Sequence, residues 1–488
     1  AACASSGGQP PVADSAEPPP ESVPVEVEPP EPEEIPERAF PDDSLHALLV
    51  AEFALRRRDY QLALDTYVEQ APLLRDKAVS AHTTHLAQFM QRETEALEAV
   101  TLWVELEPEN VEANNTLATL LVRQGRTVEA LPHMAFAQRQ GAEVKFPVLL
   151  TGFGKLDPAQ QSQLVEGINE LSLEFPDNTQ LLLTQALINA EFQQFDTALA
   201  KLDRLLTLQP TQEQALILEA RILMSQGAKE PFNRLEKELE DNPGDKALRL
   251  HYARLLTASD MPAARQQFEI LSAQSPRDGD LLLSLALINR EIGDNLEAKA
   301  YLRQMLDLQQ RVDEAHYYLG RVAEDDQDTM GALFNYKQVG EGRQFLAANS
   351  RIGTILINDG QLDESRQWFD QVRQQNHQRS EQLYGLEVEL LTRLGHPEVA
   401  MDILNDALRQ FPDSSALRYA RSMLGEQMDN LSLMESDLRA ILEQDPDNAT
   451  ALNALGYTLA DRTQRLDEAE ELITRALALQ PNEPAILD

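Results

Sequence analysis

The chain has 488 residues, 81 of them acidic and 42 basic, which gives a formal net charge of −39, and only 6% of its residues are aromatic. The acid excess repels a phosphate backbone and the few aromatic side chains offer little base stacking, so nucleic acid is excluded as a partner. No uncharged apolar run approaches the ~18 residues that cross a bilayer. The length predicts either three globular domains or an array of repeats.

Residues 1–40 are predicted to form a disordered acidic tether. Eleven prolines lie between Gln9 and Pro41, and residues 1–43 contain 11 acidic residues against one base, Arg38. Proline removes backbone donors and favours extended backbone, while the like charges repel one another. This composition cannot bury enough apolar surface to fold and is typical of a stretched spacer.

The only cysteine, Cys3, precedes this spacer and cannot form an intramolecular disulfide. The segment Ala1-Ala2-Cys3-Ala4 followed by a Ser/Gly run resembles the end of a bacterial lipoprotein signal, in which the cysteine is acylated through its sulfur. The resemblance implies that Cys3 is the lipid-attachment residue. Because Ala4 and not aspartate follows it, the resemblance also implies an outer-membrane location facing the periplasm, with membrane contact through the lipid alone. An incidental terminal cysteine is the alternative.

The remainder of the chain carries a repeat of about 34 residues, marked by proline. Successive intervals between these prolines are one period or a whole multiple of it, which composition alone does not produce. The prolines of this lattice are Pro108, Pro176, Pro210, Pro243, Pro276, Pro412, Pro446 and Pro481.

Within each period, small residues recur at two fixed offsets, and apolar residues follow helical spacing. The clearest copy, residues 449–481, has Leu455-Gly456, Ala469 and Pro481 in the order typical of the tetratricopeptide repeat (TPR) family, which it resembles. The resemblance implies an all-α fold, a right-handed superhelix of about 11–13 helix pairs. We assign residues 109–481 to it, residues 41–108 to less regular helical pairs, and residues 482–488 to the start of a further repeat.

No catalytic signature is present, and the sequence predicts neither an enzyme nor a cofactor. Gly152-Phe153-Gly154-Lys155 looks like a fragment of a phosphate loop, but Gly152 falls on a small-residue position of the repeat, so we favour a packing role. His82 and His85 share one helix face and could hold a metal. Without a third ligand nearby, an ordinary surface role is favoured, and no metal site is predicted.

A binding surface is therefore the predicted function. In the TPR family the first helices line a concave face. Applied to this acidic chain, that rule places arginines on the concave face in successive repeats. Arginine and tyrosine are enriched at binding hot spots, which predicts a groove for an extended or partly unfolded polypeptide. The alternative is that the arginines merely offset neighbouring acids. The candidate residues are Arg221, Arg254, Arg290, Tyr317, Arg321, Tyr419 and Tyr457.

In its size, acidic tether and long array, the chain is similar to a family of Gram-negative outer-membrane TPR lipoproteins. Members of that family bind a periplasmic carboxyl-terminal processing serine protease. The resemblance implies a non-enzymatic adaptor that delivers peptidoglycan hydrolases for degradation. Leu48, Leu49 and Phe53 are the predicted protease-docking residues. Scaffolds for exopolysaccharide secretion or for assembly of a surface apparatus are the alternatives, because they also use TPR lipoproteins.

Overall fold

The computed structural model describes Pro41 and residues 43–481; the predicted tether, Cys3 and residues 482–488 lie outside the described residues. The described part is all-α and contains no strand, as predicted. The chain divides into two compact units, residues 1–188 and 189–488. The described helices of the first unit, and the helix that crosses the division, are α1 (Ser44–Arg56), α2 (Tyr60–Leu74), α3 (Lys77–Phe89), α4 (Glu93–Leu106), α5 (Val111–Arg123), α6 (Thr127–Arg139), α7 (Pro158–Glu174) and α8 (Thr179–Glu191).

The second unit continues the series with helices of similar length. They are α9 (Phe195–Leu208), α10 (Glu213–Ser225), α11 (Asn233–Asp241), α12 (Lys246–Leu256), α13 (Met261–Gln274), α14 (Gly279–Glu291), α15 (Asn295–Asp307), α16 (Val312–Asp325), α17 (Thr329–Tyr336), α18 (Phe345–Asn358), α19 (Leu362–Gln375), α20 (Ser380–Arg393), α21 (Pro397–Gln410), α22 (Ser415–Gln427), α23 (Leu431–Gln444), α24 (Ala449–Arg462) and α25 (Leu466–Leu479).

The proline lattice marks where the first helix of each pair begins. Two residues after each lattice proline from Pro108 to Pro446, a polar side chain accepts a hydrogen bond from a backbone N–H of the new helix, which satisfies one of the donors that a helix start leaves unpaired. Proline thus ends one pair, and the residue two places on caps the next. These capping residues include Asn110, Asn178, Gln212, Asp245, Asp278, Ser414 and Asn448.

Small residues at the predicted offsets let the two helices of a pair approach closely. At Gly456 on α24, an added Cβ would lie 2.7 Å from a side-chain carbon of Ile473 on α25. At Gly320 on α16, it would lie 2.6 Å from the ring of Tyr336 on α17. The most extensive helix contacts in both units accordingly join the two members of a pair.

One predicted first helix is absent. Over residues 143–156 the chain forms only two 3₁₀ turns, Phe146–Leu150 and Phe153–Lys155. Gly152 between them has a φ of 75°, a left-handed conformation that glycine adopts at no steric cost, and no atom lies within 4 Å of an added Cβ. The packing role predicted for Gly152 is therefore wrong, because the glycine provides a left-handed backbone conformation between the two turns and no neighbouring helix approaches it.

The two tryptophans differ in burial. Trp103 is fully in the core of the first unit, whereas Trp368 in the second is half-buried and donates its indole N–H to Asn349 Oδ1 at 2.8 Å. None of the helices in the described part combines the length and apolarity that a bilayer crossing needs.

Candidate protein-binding surface

Four arginines occupy the first helices of successive pairs in the second unit. We call Arg221 on α10, Arg254 on α12, Arg290 on α14 and Arg321 on α16 the arginine row. Arg254 and Arg290 lie in the last turn of their helices, where a cation also interacts favourably with the helix dipole. Of these first helices, α10 and α12 pack against each other.

Two members of the arginine row are exposed and unpaired. Neither Arg221 nor Arg254 makes a side-chain hydrogen bond or ion pair with any other residue of the described part. Both guanidinium groups keep their donors available for a partner.

Arg290 is engaged inside the protein. Its Nε and Nη2 donate to the two carboxylate oxygens of Asp325 on α16, at 2.5 and 3.1 Å. The hydrogen bonds to this carboxylate raise the pKa of Arg290, more than burial lowers it. Arg290 therefore follows the alternative interpretation, in which an arginine only offsets a neighbouring acid.

Arg321 stands beside a second carboxylate. Glu324 accepts from both Arg351 on α18 and the hydroxyl of Tyr336 on α17. Burial alone would raise the pKa of Glu324, but these hydrogen bonds outweigh it and hold the pKa below its ordinary value, helped by the charge of Arg321. Arg321 itself makes no hydrogen bond in the described part, so its donors remain available.

Tyr317 packs above this cluster. Its ring centroid lies 5.7 Å from that of Tyr336 and 5.2 Å from that of Tyr318, so it is half-buried among aromatic rings. Arg351, which completes the cluster, was not among the predicted site residues. It lies one period of 34 residues after Tyr317, so the rule that selected Tyr317 also points to Arg351.

The two remaining tyrosines lie on α22 and α24. Tyr419 is half-buried against the core of the last pairs, and burial raises the pKa of its hydroxyl. Tyr457 leaves 60% of its surface exposed. Only Tyr457 therefore offers most of its ring to a partner.

The predicted docking residues lie on α1 in the first unit. Leu49 and Phe53 are exposed and stand one helical turn apart, and the exposed Leu45 extends the stripe by a further turn. Leu48 is half-buried and packs against the core. Three large apolar side chains on one helix face in water indicate an interaction surface.

Each of the two histidines, His82 and His85, contacts a neighbouring side chain. The ring of His82 lies 4.7 Å from that of Tyr67, and His85 Nε2 lies 3.2 Å from a carboxylate oxygen of Glu112. Within the described residues, no group of three or more potential metal ligands comes together.

Comparison with known proteins agrees with this architecture. Residues 435–484 match the tetratricopeptide repeat family. Over 452 residues the chain is 38% identical to TPR repeat-containing protein PA4667 of Pseudomonas aeruginosa, an alignment that covers 92% of this chain and 76% of that protein. The chain belongs to the tetratricopeptide repeat family.

Two further likenesses are local or distant. Bacteriophage adsorption protein A of Escherichia coli is 33% identical over 93 residues, which covers 19% of this chain and 9% of that protein. A tetratricopeptide repeat protein from Parabacteroides merdae, solved by crystallography, has 17% identity and a TM-score of 0.34, and the match covers 55% of this chain and 95% of that one.

Proposed function

We propose that this chain is a non-enzymatic TPR adaptor lipoprotein that binds a periplasmic carboxyl-terminal processing serine protease and delivers protein clients, such as peptidoglycan hydrolases, to it. The observation that carries the binding role is the pair Arg221 and Arg254, exposed on adjacent first helices without an internal partner in the described residues. Within the arginine row these two residues differ from Arg290, which is paired with Asp325.

Arginines in this setting suit an extended polypeptide client. A planar guanidinium can donate two parallel hydrogen bonds to a carboxylate, and a hydrogen bond to a charged group contributes about 1.5–3 kcal/mol. Arg221 and Arg254 would bind client carboxylates or backbone carbonyls. Arg321, with Tyr317 packed beside its cluster, and Tyr457 further along would extend the contact.

A separate surface would hold the protease. The α1 stripe of Leu45, Leu49 and Phe53 is apolar and lies in the first unit, whereas the arginine row lies in the second. Two surfaces on one chain let a single molecule hold enzyme and client together, which raises the effective concentration of one near the other.

The membrane anchor completes the proposal. We assign it to Cys3, acylated at the outer membrane and joined to the repeats by the acidic tether. Mass spectrometry of the amino-terminal peptide from membranes is expected to show acyl chains on Cys3, and a Cys3→Ser chain is expected in the soluble periplasmic fraction. Wild-type protein that lacks an acyl group would contradict the anchor.

Affinity purification from envelope extracts tests the adaptor role. The full-length chain is expected to recover a serine protease and cell-wall hydrolases together. The Arg221→Ala/Arg254→Ala chain is expected to keep the protease and lose hydrolase affinity by about tenfold or more, measured by calorimetry on the purified hydrolase. The Leu49→Asp/Phe53→Asp chain is expected to do the reverse, because a carboxylate cannot be buried unpaired in an apolar interface.

Matched controls separate these effects from general charge or stability. Arg277→Ala/Arg303→Ala removes two exposed arginines of the second unit that are also unpaired in the described part, and Leu173→Asp alters an exposed leucine of α7. Both controls should recover protease and hydrolase as the wild type does. Recovery of exopolysaccharide-secretion or surface-assembly proteins in place of the protease would overturn the proposed partner.

A further inference from the structure

The missing first helix at residues 143–156 leaves a cavity in the first unit. The cavity has a volume of about 370 Å³ and lies between α5, α6 and the segment that replaces the helix. It falls at the lower end of the range, about 300–1,000 Å³, in which ligand pockets are found. Its lining residues are Asn115, Ala118, Thr119, Val122, Arg123, Met134, Glu143, Val144, Lys145 and Val148.

The cavity is built by the fold and does not arise from loose packing. Phe146 and Leu149, on the 3₁₀ turn beside it, are fully buried in the core of the first unit. They fix the replacing segment, in which Pro147 stands in the first turn. The face of α5 that another helix would cover is therefore left open.

The floor of the cavity is apolar and its rim is polar. Ala118, Met134 and Val144 are buried beneath it, while Val148 is 40% exposed at the mouth. A floor of this kind favours a large apolar side chain, because water inside it lacks hydrogen-bonding partners.

The rim indicates what flanks that side chain. The side-chain amide of Asn115 has no hydrogen-bond partner within the described part and can bond a main-chain amide of a ligand. Lys145 is exposed and has no ion pair there, and Arg123 is joined only to Glu93, at 3.5 Å with both side chains largely exposed. Because Glu93 offsets Arg123, Lys145 is the cation that the mouth offers to an acidic residue of a ligand.

We propose that this cavity is an anchor pocket, which binds one large apolar side chain, of leucine to phenylalanine size, from an extended polypeptide with acidic residues beside it. A helical ligand with its side chains would be about 10 Å across, which is too wide for a cavity of this volume. The bound polypeptide is therefore extended. The inference rests on the proposed role in binding polypeptides, but it uses the first unit and none of the arginine row.

Fluorescence anisotropy on the full-length chain tests the anchor pocket. The probe is a labelled peptide, Gly-Ser-Asp-Glu-Phe-Asp-Ser-Gly, compared with a twin that has alanine in place of phenylalanine and another that has lysines in place of the acids. We expect saturable binding of the first peptide, and binding weaker by about tenfold or more for each twin.

Two variants locate the binding. Val148→Glu places a carboxylate at the mouth and is expected to weaken binding of the phenylalanine peptide by about tenfold or more. Leu173→Glu makes the same kind of change at an exposed leucine outside the cavity, and should leave affinity within about twofold. Circular dichroism melts of both variants show whether they fold as the wild type does.

The remaining outcomes separate this inference from the proposed function. The Arg221→Ala/Arg254→Ala chain should bind the peptide as the wild type does, even though it loses hydrolase affinity. Equal binding of the phenylalanine and alanine peptides, or full binding to Val148→Glu, would overturn the anchor pocket and leave the adaptor role standing. Laurate that binds in a Val148-dependent way while the peptide does not would also overturn it, in favour of a small amphiphile.

Discussion

Replacing Arg373 with methionine is expected to lower the free energy of unfolding around α19 and α20 by about 3 kcal/mol at pH 8. Arg373 is almost fully buried, and its Nη1 donates to Oε2 of the fully buried Glu387 at 2.5 Å. Its guanidinium carbon also lies 4.0 Å from the ring centroid of Tyr384. Oε1 of Glu387 already has no hydrogen-bond partner among the described residues, so the variant would leave the whole carboxylate unpaired.

The loss should depend on pH in a definite direction. Burial raises the pKa of Glu387 from 4.5 to about 7, against the attraction of Arg373, which lowers it. Between those values the folded chain holds a proton that the unfolded chain has released, so stability contributed by Glu387 falls as pH rises. Without Arg373 the pKa of Glu387 in the folded chain is higher still, so the free energy of unfolding continues to fall up to a higher pH. The variant should therefore lose about 1 kcal/mol less at pH 5 than at pH 8.

Hydrogen exchange of α19 and α20 at the two pH values measures this local stability, because repeat arrays unfold in segments. The matched control is Arg409→Met, in which a largely exposed arginine loses its ion pair with Asp406. An exposed pair contributes about 0–1 kcal/mol, so this control should change little at either pH. Equal losses for Arg373→Met at pH 5 and pH 8 would contradict a role for the Glu387 charge.

The proline lattice and the small residues were enough to predict the paired helices. Proline and the capping residue two places later both act locally, so their spacing in the sequence predicts where each first helix begins. The close approach at Gly456 follows from the same pattern, since a residue without a side chain at a fixed offset marks where two helices meet.

The lost helix at residues 143–156 shows where periodicity fails. The period places Phe146 and Leu149 on the concave face of a first helix, but both are buried in the core of the first unit. For this segment the period therefore predicts neither the backbone conformation nor the burial of the side chains. Gly152, a residue type that weakens a helix interior, was the local signal against a helix, but it also fitted a small-residue position.

Charge pairing across repeats follows a spacing that the sequence does contain. Arg290 bonds Asp325, and Arg139 bonds Glu174, both pairs separated by 35 residues, one repeat plus one position. At the same offset from Arg221 and Arg254 stand Leu256 and Asn289, neither of them acidic. Within the arginine row, that offset distinguishes Arg290, which is paired, from Arg221 and Arg254, which are not. The Arg373–Glu387 pair joins α19 to α20 and follows no such period.

The second large effect is expected at Gly456, where alanine should lower the free energy of unfolding of the α24–α25 pair by about 2 kcal/mol. Alanine is the better helix former by about 1 kcal/mol, so intrinsic propensity alone predicts the opposite sign. The new Cβ, however, would lie 2.7 Å from Cγ1 of Ile473 and 3.1 Å from the carbonyl oxygen of Ala469. Backbone cannot move aside as a side chain can, so the helices must separate.

Gly385 provides the same substitution without the contact. It lies inside α20, and no atom stands within 4 Å of an added Cβ. Gly385→Ala should therefore raise stability by about 0.5–1 kcal/mol through helix propensity and a less flexible unfolded chain. Denaturant titrations of the two variants followed by circular dichroism should move in opposite directions from the wild type. If both moved upward, the α24–α25 contact would tolerate a methyl group, and the small residue at this offset would reflect something other than helix packing.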